Sequence, residues 1–481
     1  MELLGLGVTP WLLASCLGLL TYWFKSRSEK FAFFRRRGIP GPAPSVIDGN
    51  YKELILSGTA PWLVVEKWIK AYGKVVGYFR TGPTPVLLIS DHEMLKEILI
   101  KDFSHFSDRA TLTSPRNRLP PIFRDSLTVL TGQDWKRVRS TITPTFTAKK
   151  MKVMSPAINE IVDVLLGILE GRAQTGETTD IYSLFQGLTL DVIGRCAFAR
   201  NTDCQRNTQD IFLTNVRAIF ANASSPVIRI IQMFPELNFI ISRAIRRFAP
   251  NYKRGNIISE HLAELIKQRK EGKLNGHMDM IQLMLDANEN PESVDRTDNG
   301  DAFSDVRKKY LTDGEMISNA FLFLLAGYET TANCLAFTTY LLAKHPDIKK
   351  GFVTRVASET VTINGQTIPA RTGVEVPLWY LQHDPEVWNK PYEFDPERFS
   401  PENKPSIPPM AYLPFGAGPR NCVGMRFAQL EIKIALVRIL QRYRLVKCAQ
   451  SEPEIQLKHG IATINPKNGV FVRIEKRTSD N

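Results

Sequence analysis

Apolar residues recur along this chain with a helical period over most of its length and as strand-like runs in one short region. From Met151 to Lys270 the apolar positions fall at helical spacing, which predicts helix. Val75–Phe79 and Pro85–Ile89 are apolar runs on either side of a turn that contains Gly82 and Pro83, which predicts two paired strands. The pattern therefore indicates a mainly α chain with a small β region, an α+β fold.

Local signals place three further helices. Trp62 to Tyr72 has a helical pattern, and Asp91 is an N-cap residue for a helix that continues through Ile100. Thr312-Asp-Gly-Glu315 is a capping box that opens a long helix to about Lys344, before His345 and Pro346. At 1.5 Å per residue, roughly 30 residues span about 45–50 Å. This helix can cross a whole domain.

The N-terminal region predicts a membrane anchor followed by a hinge. An almost unbroken apolar run covers Leu3 to Phe24, and crossing a bilayer takes about 20 residues. A cleaved signal peptide would carry positive charge before the run, where Glu2 stands. Gly38 to Pro44 is a stiff Pro/Gly segment. Basic residues directly after the run place the rest of the chain on the cytoplasmic side: Lys25, Arg27, Lys30, Arg35, Arg36 and Arg37.

Composition indicates the domain organisation, the cellular compartment and the classes of binding partner. No linker or repeat divides the chain, so we expect an anchor at 1–24, a hinge at 25–50 and one domain at 51–481. The six cysteines show no paired spacing, which favours a reducing compartment. The net charge of +13 could suit nucleic acid, an anionic membrane or an acidic protein. Because no nucleic-acid motif accompanies it, we expect membrane lipid and acidic protein partners and no nucleic acid.

One cysteine lies in a glycine-rich loop that leads into a helix. The loop reads Phe415-Gly-Ala-Gly-Pro-Arg-Asn-Cys-Val-Gly424, and the apolar positions of Met425–Gln441 have helical spacing. A helix N-terminus and closely folded backbone N–H groups stabilise a thiolate, so the loop suits a metal-bound sulfur at Cys422. The alternative is a buried structural cysteine, which composition alone favours.

Two other segments suggest binding chemistry. Trp135 and Arg139 are four residues apart, on one helix face, and both carry donors suited to a carboxylate. The alternative is a half-buried tryptophan beside a solvated arginine. Ala326-Gly-Tyr-Glu-Thr-Thr331 lies in the middle of the long helix, where small residues admit a flat cofactor and a threonine hydroxyl can open the backbone ladder. The alternative is a Gly/Thr kink in a core helix.

The spacing Phe-x-x-Gly-x-Arg-x-Cys-x-Gly resembles the haem-ligand loop of the cytochrome P-450 family. It fixes Phe415, Gly418, Arg420, Cys422 and Gly424 within ten positions. The resemblance implies that Cys422 is the axial iron ligand, Arg420 a haem-propionate partner and Phe415 the shield over sulfur. It further implies the family's Trp-x-x-x-Arg propionate clamp at Trp135 and Arg139, and a third propionate contact at Arg355.

The helix motif is similar to the family's oxygen-activation site. The resemblance implies that Ala326 and Gly327 belong to this site, that Thr330 holds the iron-bound oxygen and water, and that Glu329 helps to relay protons. It implies haem b (iron protoporphyrin IX) as cofactor and NADPH-derived electrons through a flavoprotein reductase, with cytochrome b5 as a further candidate partner. The chain is most similar to the animal microsomal drug- and steroid-oxidising branch that includes thromboxane synthase. We therefore expect a single-domain monooxygenase on the endoplasmic reticulum membrane, acting on an apolar xenobiotic, steroid or lipid.

The chain departs from the family after Pro346. Family members have several dozen more residues near 348–352, including a Glu-x-x-Arg helix that pairs with a later Pro-Glu-Arg-Phe motif. Pro396-Glu-Arg-Phe399 is present, but Glu-x-x-Arg is absent between Glu329 and Cys422, which predicts that Arg398 lacks its usual partners. An in-frame exon loss or a gene-model omission would produce this join. An inactive shortened form is thus the second hypothesis and a haem-thiolate isomerase the third, although Thr330 favours monooxygenation.

Overall fold

The computed structural model describes residues 5–110, 116, 119–222, 226–238, 250–273, 279–289, 310–344, 353–459 and 463–477. Within these ranges the chain is mainly helical with small sheets, as predicted. The helices are α1 (Gly5–Phe31), α2 (Pro61–Tyr72), α3 (His92–Lys96), α4 (Pro121–Arg124), α5 (Gly132–Ile142), α6 (Ala148–Thr175), α7 (Ile181–Phe198), α8 (Ile211–Asn222), α9 (Pro226–Met233), α10 (Pro250–Lys270), α11 (Met280–Glu289), α12 (Asp313–Lys344), α13 (Leu378–Leu381) and α14 (Met425–Arg442). The strands are β1 (Val75–Phe79), β2 (Pro85–Ile89), β3 (Thr178–Asp180), β4 (Val353–Val356), β5 (Val361–Ile363), β6 (Gln366–Ile368), β7 (Gly373–Val376), β8 (Tyr443–Val446), β9 (Leu457–His459), β10 (Ile464–Pro466) and β11 (Phe471–Lys476).

Helix α12 organises the helical layer. It packs mainly against α7 and also contacts α4, α10 and α14. The predicted capping box is confirmed, because the Thr312 N–H donates to Glu315 Oε2 at 2.9 Å and the Glu315 N–H to Thr312 Oγ1 at 3.2 Å. The helix is long and apolar enough to cross a membrane, but 67% of its apolar window is buried inside the protein, as expected of a core helix. The predicted stop at His345 and Pro346 lies outside the described residues.

The main sheet has four strands in the order β1-β2-β7-β4. The predicted strand pair is confirmed, with Val75 opposite Ile89 and Phe79 opposite Pro85 in an antiparallel ladder. Strand β7 runs parallel to β2 and antiparallel to β4. The sheet thereby places Arg355 of β4 opposite Val374 of β7, next to the loop that carries Cys422.

Helix α1 extends beyond the predicted apolar run, through the first basic residues to Phe31. Arg27 is only 1% exposed. Its guanidinium donates to Glu236 at 3.1 and 3.3 Å and to the Met233 carbonyl at 3.0 Å. The end of α1 is therefore packed against the segment around α9. The earlier part of α1 exposes large apolar side chains, among them Trp11, Leu12, Leu13, Leu17, Leu19 and Leu20.

Arg398 has found other partners in place of the missing Glu-x-x-Arg helix. It donates to the carbonyls of Asn389 at 2.9 Å and Lys390 at 2.6 Å, and its Nε lies 3.7 Å from Asp395 Oδ2. Arg398 therefore pairs with groups other than the Glu-x-x-Arg partners that the sequence lacks, because backbone carbonyls can replace carboxylates as acceptors. The join near 348–352 lies outside the described residues.

Candidate functional site

The loop around Cys422 is folded by its glycines and by backbone hydrogen bonds. Gly416 and Gly418 have φ values of 73° and 70°, a region that favours glycine. A Cβ on Gly418 would lie 1.8 Å from the Leu99 carbonyl oxygen, so no larger residue fits there. The Cys422 N–H donates to the Phe415 carbonyl at 2.8 Å. Gly424 then forms the N-cap of α14, and Cys422 stands just before a helix N-terminus, as predicted.

A cavity of about 310 Å³ separates this loop from α12. Cys422 is exposed in the protein and lines this cavity. The structure brings nine of the twelve predicted site residues together on its walls: Trp135, Arg139, Ala326, Gly327, Thr330, Phe415, Arg420, Cys422 and Gly424. Apolar side chains complete the lining, among them Phe146, Ile193, Leu322, Phe323 and Leu378. The cavity thus combines a single thiol, cationic groups at one end and a largely apolar wall.

Four arginines, Arg109, Arg139, Arg355 and Arg420, converge beside the cavity. Arg139 donates to Asn421 Oδ1 at 2.8 Å, Arg420 to the Leu130 carbonyl at 2.7 Å, and Arg355 to the Thr354 carbonyl at 2.8 Å. The Nε of all four and Nη1 of Arg420 are buried without a hydrogen-bond partner. We call these four residues the arginine cluster.

Burial and mutual repulsion disfavour the charged form of these guanidiniums. Burial lowers the pKa of Arg139 to about 10. Burial, and then the neighbouring Arg109, lower the pKa of Arg420 to about 9. The pKa of Arg355 also falls well below its usual value, through burial and then Arg109 and Arg420. Arg420 has one carboxylate nearby, Asp108 Oδ1 at 3.6 Å. Because the buried N–H groups without acceptors remain costly, the arginine cluster calls for an anion with several acceptor oxygens.

The residues present fit haem. Cys422 offers one sulfur to iron, and the orphaned guanidinium N–H groups suit the carboxylates of two propionates. The Arg420 guanidinium lies 4.3 Å from the centre of the Trp135 ring, a cation–π contact that holds both predicted propionate partners in one place. The apolar walls suit a porphyrin face.

Sequence reasoning missed Arg109 and Asn421. Arg109 lines the cavity and donates to the Arg420 carbonyl at 3.3 Å. Asn421 also lines the cavity and accepts from Arg139. Asn421 could have been found, because it stands between Arg420 and Cys422 in the motif. No signal marks Arg109, which follows a short turn and belongs to no motif in the sequence.

Helix α12 presents its small residues and Thr330 to the cavity. The Thr330 hydroxyl donates to the Ala326 carbonyl at 2.6 Å, which is the competition for the backbone that the sequence predicted. Gly327 serves packing as well, because a Cβ there would lie 2.4 Å from Ile193 Cδ1 of α7. The hydroxyl of Thr330 is thus held beside the space above Cys422.

Three predicted residues do not line the cavity. Gly418 packs against Leu99, as described above. Arg355 lies behind the wall and reaches the Ala417 carbonyl at 3.4 Å. Glu329 is 4% exposed and receives hydrogen bonds from Thr463 and Asn465, on another side of α12. The structure therefore does not bring Glu329 together with Thr330 at the cavity, and its relay role stays a prediction.

Comparison with known proteins agrees with the geometry of the cavity. The family model described as Cytochrome P450 matches residues 39–352 and 351–472. The chain is 32% identical over 522 residues to cytochrome P450 3A7 of Homo sapiens, with 98% of each chain covered. It is 31% identical over 522 residues to lithocholate 6-beta-hydroxylase of Mesocricetus auratus, with 99% of each covered. It is 32% identical over 513 residues to cytochrome P450 3A6 of Oryctolagus cuniculus, with 97% of each covered.

The matched ranges extend over almost the whole chain and cover the positions of the thiolate loop, the arginine cluster and the α12 motif. The family match leaves out only the first 38 residues and the last few. This chain therefore belongs to the cytochrome P450 family of haem-dependent monooxygenases.

Proposed function

We propose that this protein inserts one oxygen atom from O₂ into an apolar organic substrate of the xenobiotic, steroid or lipid class. The proposal rests on one observation: Cys422, Thr330 and three residues of the arginine cluster, Arg109, Arg139 and Arg420, line one largely apolar cavity. The name of the hamster relative, lithocholate 6-beta-hydroxylase, supports a steroid-like substrate. When bound, haem supplies the redox-active iron, and a thiolate ligand favours O–O cleavage.

The site residues of this chain have two roles: some would bind the haem, and Thr330 would donate a proton. Cys422 Sγ would bind the iron, and the arginine cluster with Trp135 would pair with the propionates. Phe415 lines the cavity beside the sulfur and limits the access of water to it. Thr330 holds a proton on Oγ1 beside the cavity. By turning from the Ala326 carbonyl it can donate that proton to a bound water.

We expect the electrons to come from NADPH through a flavoprotein reductase, with cytochrome b5 as a further donor. Arg426 and Lys433 are exposed on α14, the helix that follows Cys422, and the net charge of the chain is +13. A basic surface of this kind attracts acidic partners. The exposed apolar side chains of α1 support an anchor in the endoplasmic reticulum membrane, with the domain on the cytoplasmic side.

The difference spectrum of the reduced protein with carbon monoxide tests the proposal. The full chain, expressed with added hemin, should give the band of a thiolate-ligated haem, and Cys422→Ala should abolish it. Cys448→Ala is the matched control, because Cys448 is a partly buried cysteine near β8. A Cys422→Ala protein that kept the thiolate band would refute the ligand assignment.

An inactive shortened form is the second candidate, and two observations favour it. The alignments with the human and hamster relatives run over 522 positions, more than the 481 residues of this chain, so these relatives carry residues that it lacks. The family match divides into two segments at residues 351–352, where the sequence predicts the missing helix. Colourless protein after expression with hemin would establish this candidate. Haem-loaded protein with NADPH-dependent turnover would exclude it, together with the isomerase hypothesis, which requires no reductase.

A further inference from the structure

A buried polar seam joins α12 to the hairpin formed by β9 and β10. Glu329, Asn333 and Tyr340 are spaced so that they lie on one side of α12. The Asn465 Nδ2 donates to Glu329 Oε1 at 2.7 Å, and the Asn333 Nδ2 donates to Asn465 Oδ1 at 2.7 Å. The Thr463 hydroxyl lies 3.1 Å from Glu329 Oε2 and 2.7 Å from Asn465 Oδ1. Thr463 and Asn465 thus hold both oxygens of one carboxylate.

The seam is closed to solvent. Glu329 and Asn465 are 4% exposed, and Asn333 and Thr463 are 5% exposed. Burial raises the pKa of Glu329 to about 6, and the hydrogen bonds from Thr463 and Asn465 oppose this rise. If the Glu329 carboxylate turned towards the cavity, it would lose its hydrogen bonds to Thr463 and Asn465. Both the carboxylate and these two donors would then be buried without partners, which is costly. Glu329 is therefore committed to the hairpin.

We propose that Glu329 is a positioning residue in this protein, and that Asn465 and Thr463 are the groups through which it fixes α12 to the hairpin. Glu329 directly precedes Thr330, so holding its carboxylate also holds the helical segment that presents the Thr330 hydroxyl to the cavity. Tyr340 extends the same attachment by donating to the Pro453 carbonyl at 3.2 Å. In this way the seam sets the position of the Thr330 hydroxyl.

The test is backbone hydrogen exchange on the full chain, measured for Asn465→Ala, Thr463→Val and Glu329→Gln. Loss of a buried hydrogen bond to a charged group corresponds to about a tenfold or larger change in an opening equilibrium. We expect Asn465→Ala to accelerate exchange by about tenfold in both β10 and residues 326–333 of α12. Thr463→Val, the milder variant, should accelerate exchange in the same two segments by a smaller factor. Asn468→Ala is the matched control: Asn468 belongs to the same C-terminal region but is exposed, and its amide bonds to Glu452. This control should leave both segments unchanged.

A second readout, which rests on the proposed function, separates positioning from proton relay. In turnover with reductase, the share of NADPH electrons released as hydrogen peroxide should rise in Asn465→Ala and Thr463→Val as well as in Glu329→Gln. A rise confined to Glu329→Gln, or unchanged exchange in residues 326–333 of Asn465→Ala, would overturn the proposal. Because exchange needs no turnover, a catalytically inactive protein would contradict the proposed function and still leave the seam tested.

Discussion

At the scale of single residues, the arginine cluster shows what the sequence could and could not predict. Arg139, Arg355 and Arg420 stand in or near recognisable motifs, so the resemblance located them. Arg109 belongs to no motif, and only the fold brings its guanidinium beside Arg420 and Cys422. Spacing along the chain predicts contacts within one helix or loop, but it contains no information on a residue delivered from a distant turn. Asn465 was missed for the same reason.

Arg109 should contribute to haem retention. We expect Arg109→Gln to speed the transfer of haem from the protein to apomyoglobin by about tenfold, because hydrogen bonds to charged groups contribute about 1.5–3 kcal/mol. Absorbance in the haem band reports the transfer, with no need for turnover. Arg124→Gln, an exposed arginine paired with Asp125, is the control. Equal transfer rates for Arg109→Gln and the unmodified protein would remove Arg109 from the haem site.

Glu431 of α14 is a buried carboxyl with no role in the proposed chemistry. It is 0% exposed, and neither of its oxygens has a hydrogen-bond partner. Burial raises its pKa well above the usual value of 4.5. The folded chain therefore keeps this proton when the unfolded chain has lost it. Stability then falls as pH rises above about 4.5, towards the folded-state pKa.

Replacing this carboxyl with an apolar side chain should stabilise the protein. We expect Glu431→Leu to raise the free energy of unfolding by about 1–3 kcal/mol at neutral pH. Urea unfolding as a function of pH should show the gain shrinking as pH falls towards 4.5. Glu454→Gln, an exposed carboxyl, should show neither effect. A gain that did not depend on pH would mean that Glu431 is ionised in the folded protein.

At the scale of secondary-structure elements, periodicity and capping signals predicted most of what the structure shows. The β1–β2 pair and the capped start of α12 have the bounds that the sequence indicated, and α2 begins one residue before its predicted start, at Pro61. The extension of α1 through Phe31 was not foreseen, because basic residues after an apolar run suggest an end. They continue as helix here since Arg27 finds a carboxylate, a carbonyl and aromatic rings on another part of the fold. A tertiary contact overrode the local signal.

The start of α12 offers a test of capping energetics. Thr312→Ala should lower the free energy of unfolding by about 1 kcal/mol, the usual cost of losing an N-cap. Glu315→Ala should cost more, because Glu315 also accepts from the Arg137 guanidinium of α5 at 2.6 and 3.0 Å. Chemical denaturation measures both. Thr84→Ala, at an exposed turn residue, is the control. If Thr312→Ala and Glu315→Ala lowered the free energy of unfolding equally, the ion pair with α5 would contribute little to stability.

At the scale of the whole molecule, the domain closes around its cavity although the sequence lacks a helix that the family resemblance predicts. The thiolate loop, the arginine cluster and α12 still meet at one cavity, and Arg398 is bound by backbone carbonyls. Most of the site is thus independent of the missing segment. The carbon monoxide spectrum of the full chain measures haem loading across the junction directly.

The buried Arg27 limits how far the N-terminus of this protein can be shortened without exposing part of the domain. The last turns of α1 follow the stretch with exposed apolar side chains and pack against the domain. The rings of Trp23, Phe31 and Phe234 lie 4.7, 5.6 and 5.5 Å from the Arg27 guanidinium. Truncation just before Trp23 would keep these contacts and would remove the exposed apolar side chains that precede them. Truncation after Phe31, ahead of the Pro/Gly segment that begins at Gly38, would remove the ion-pair partner of Glu236 and expose the Phe234 ring. We expect this shorter protein to aggregate.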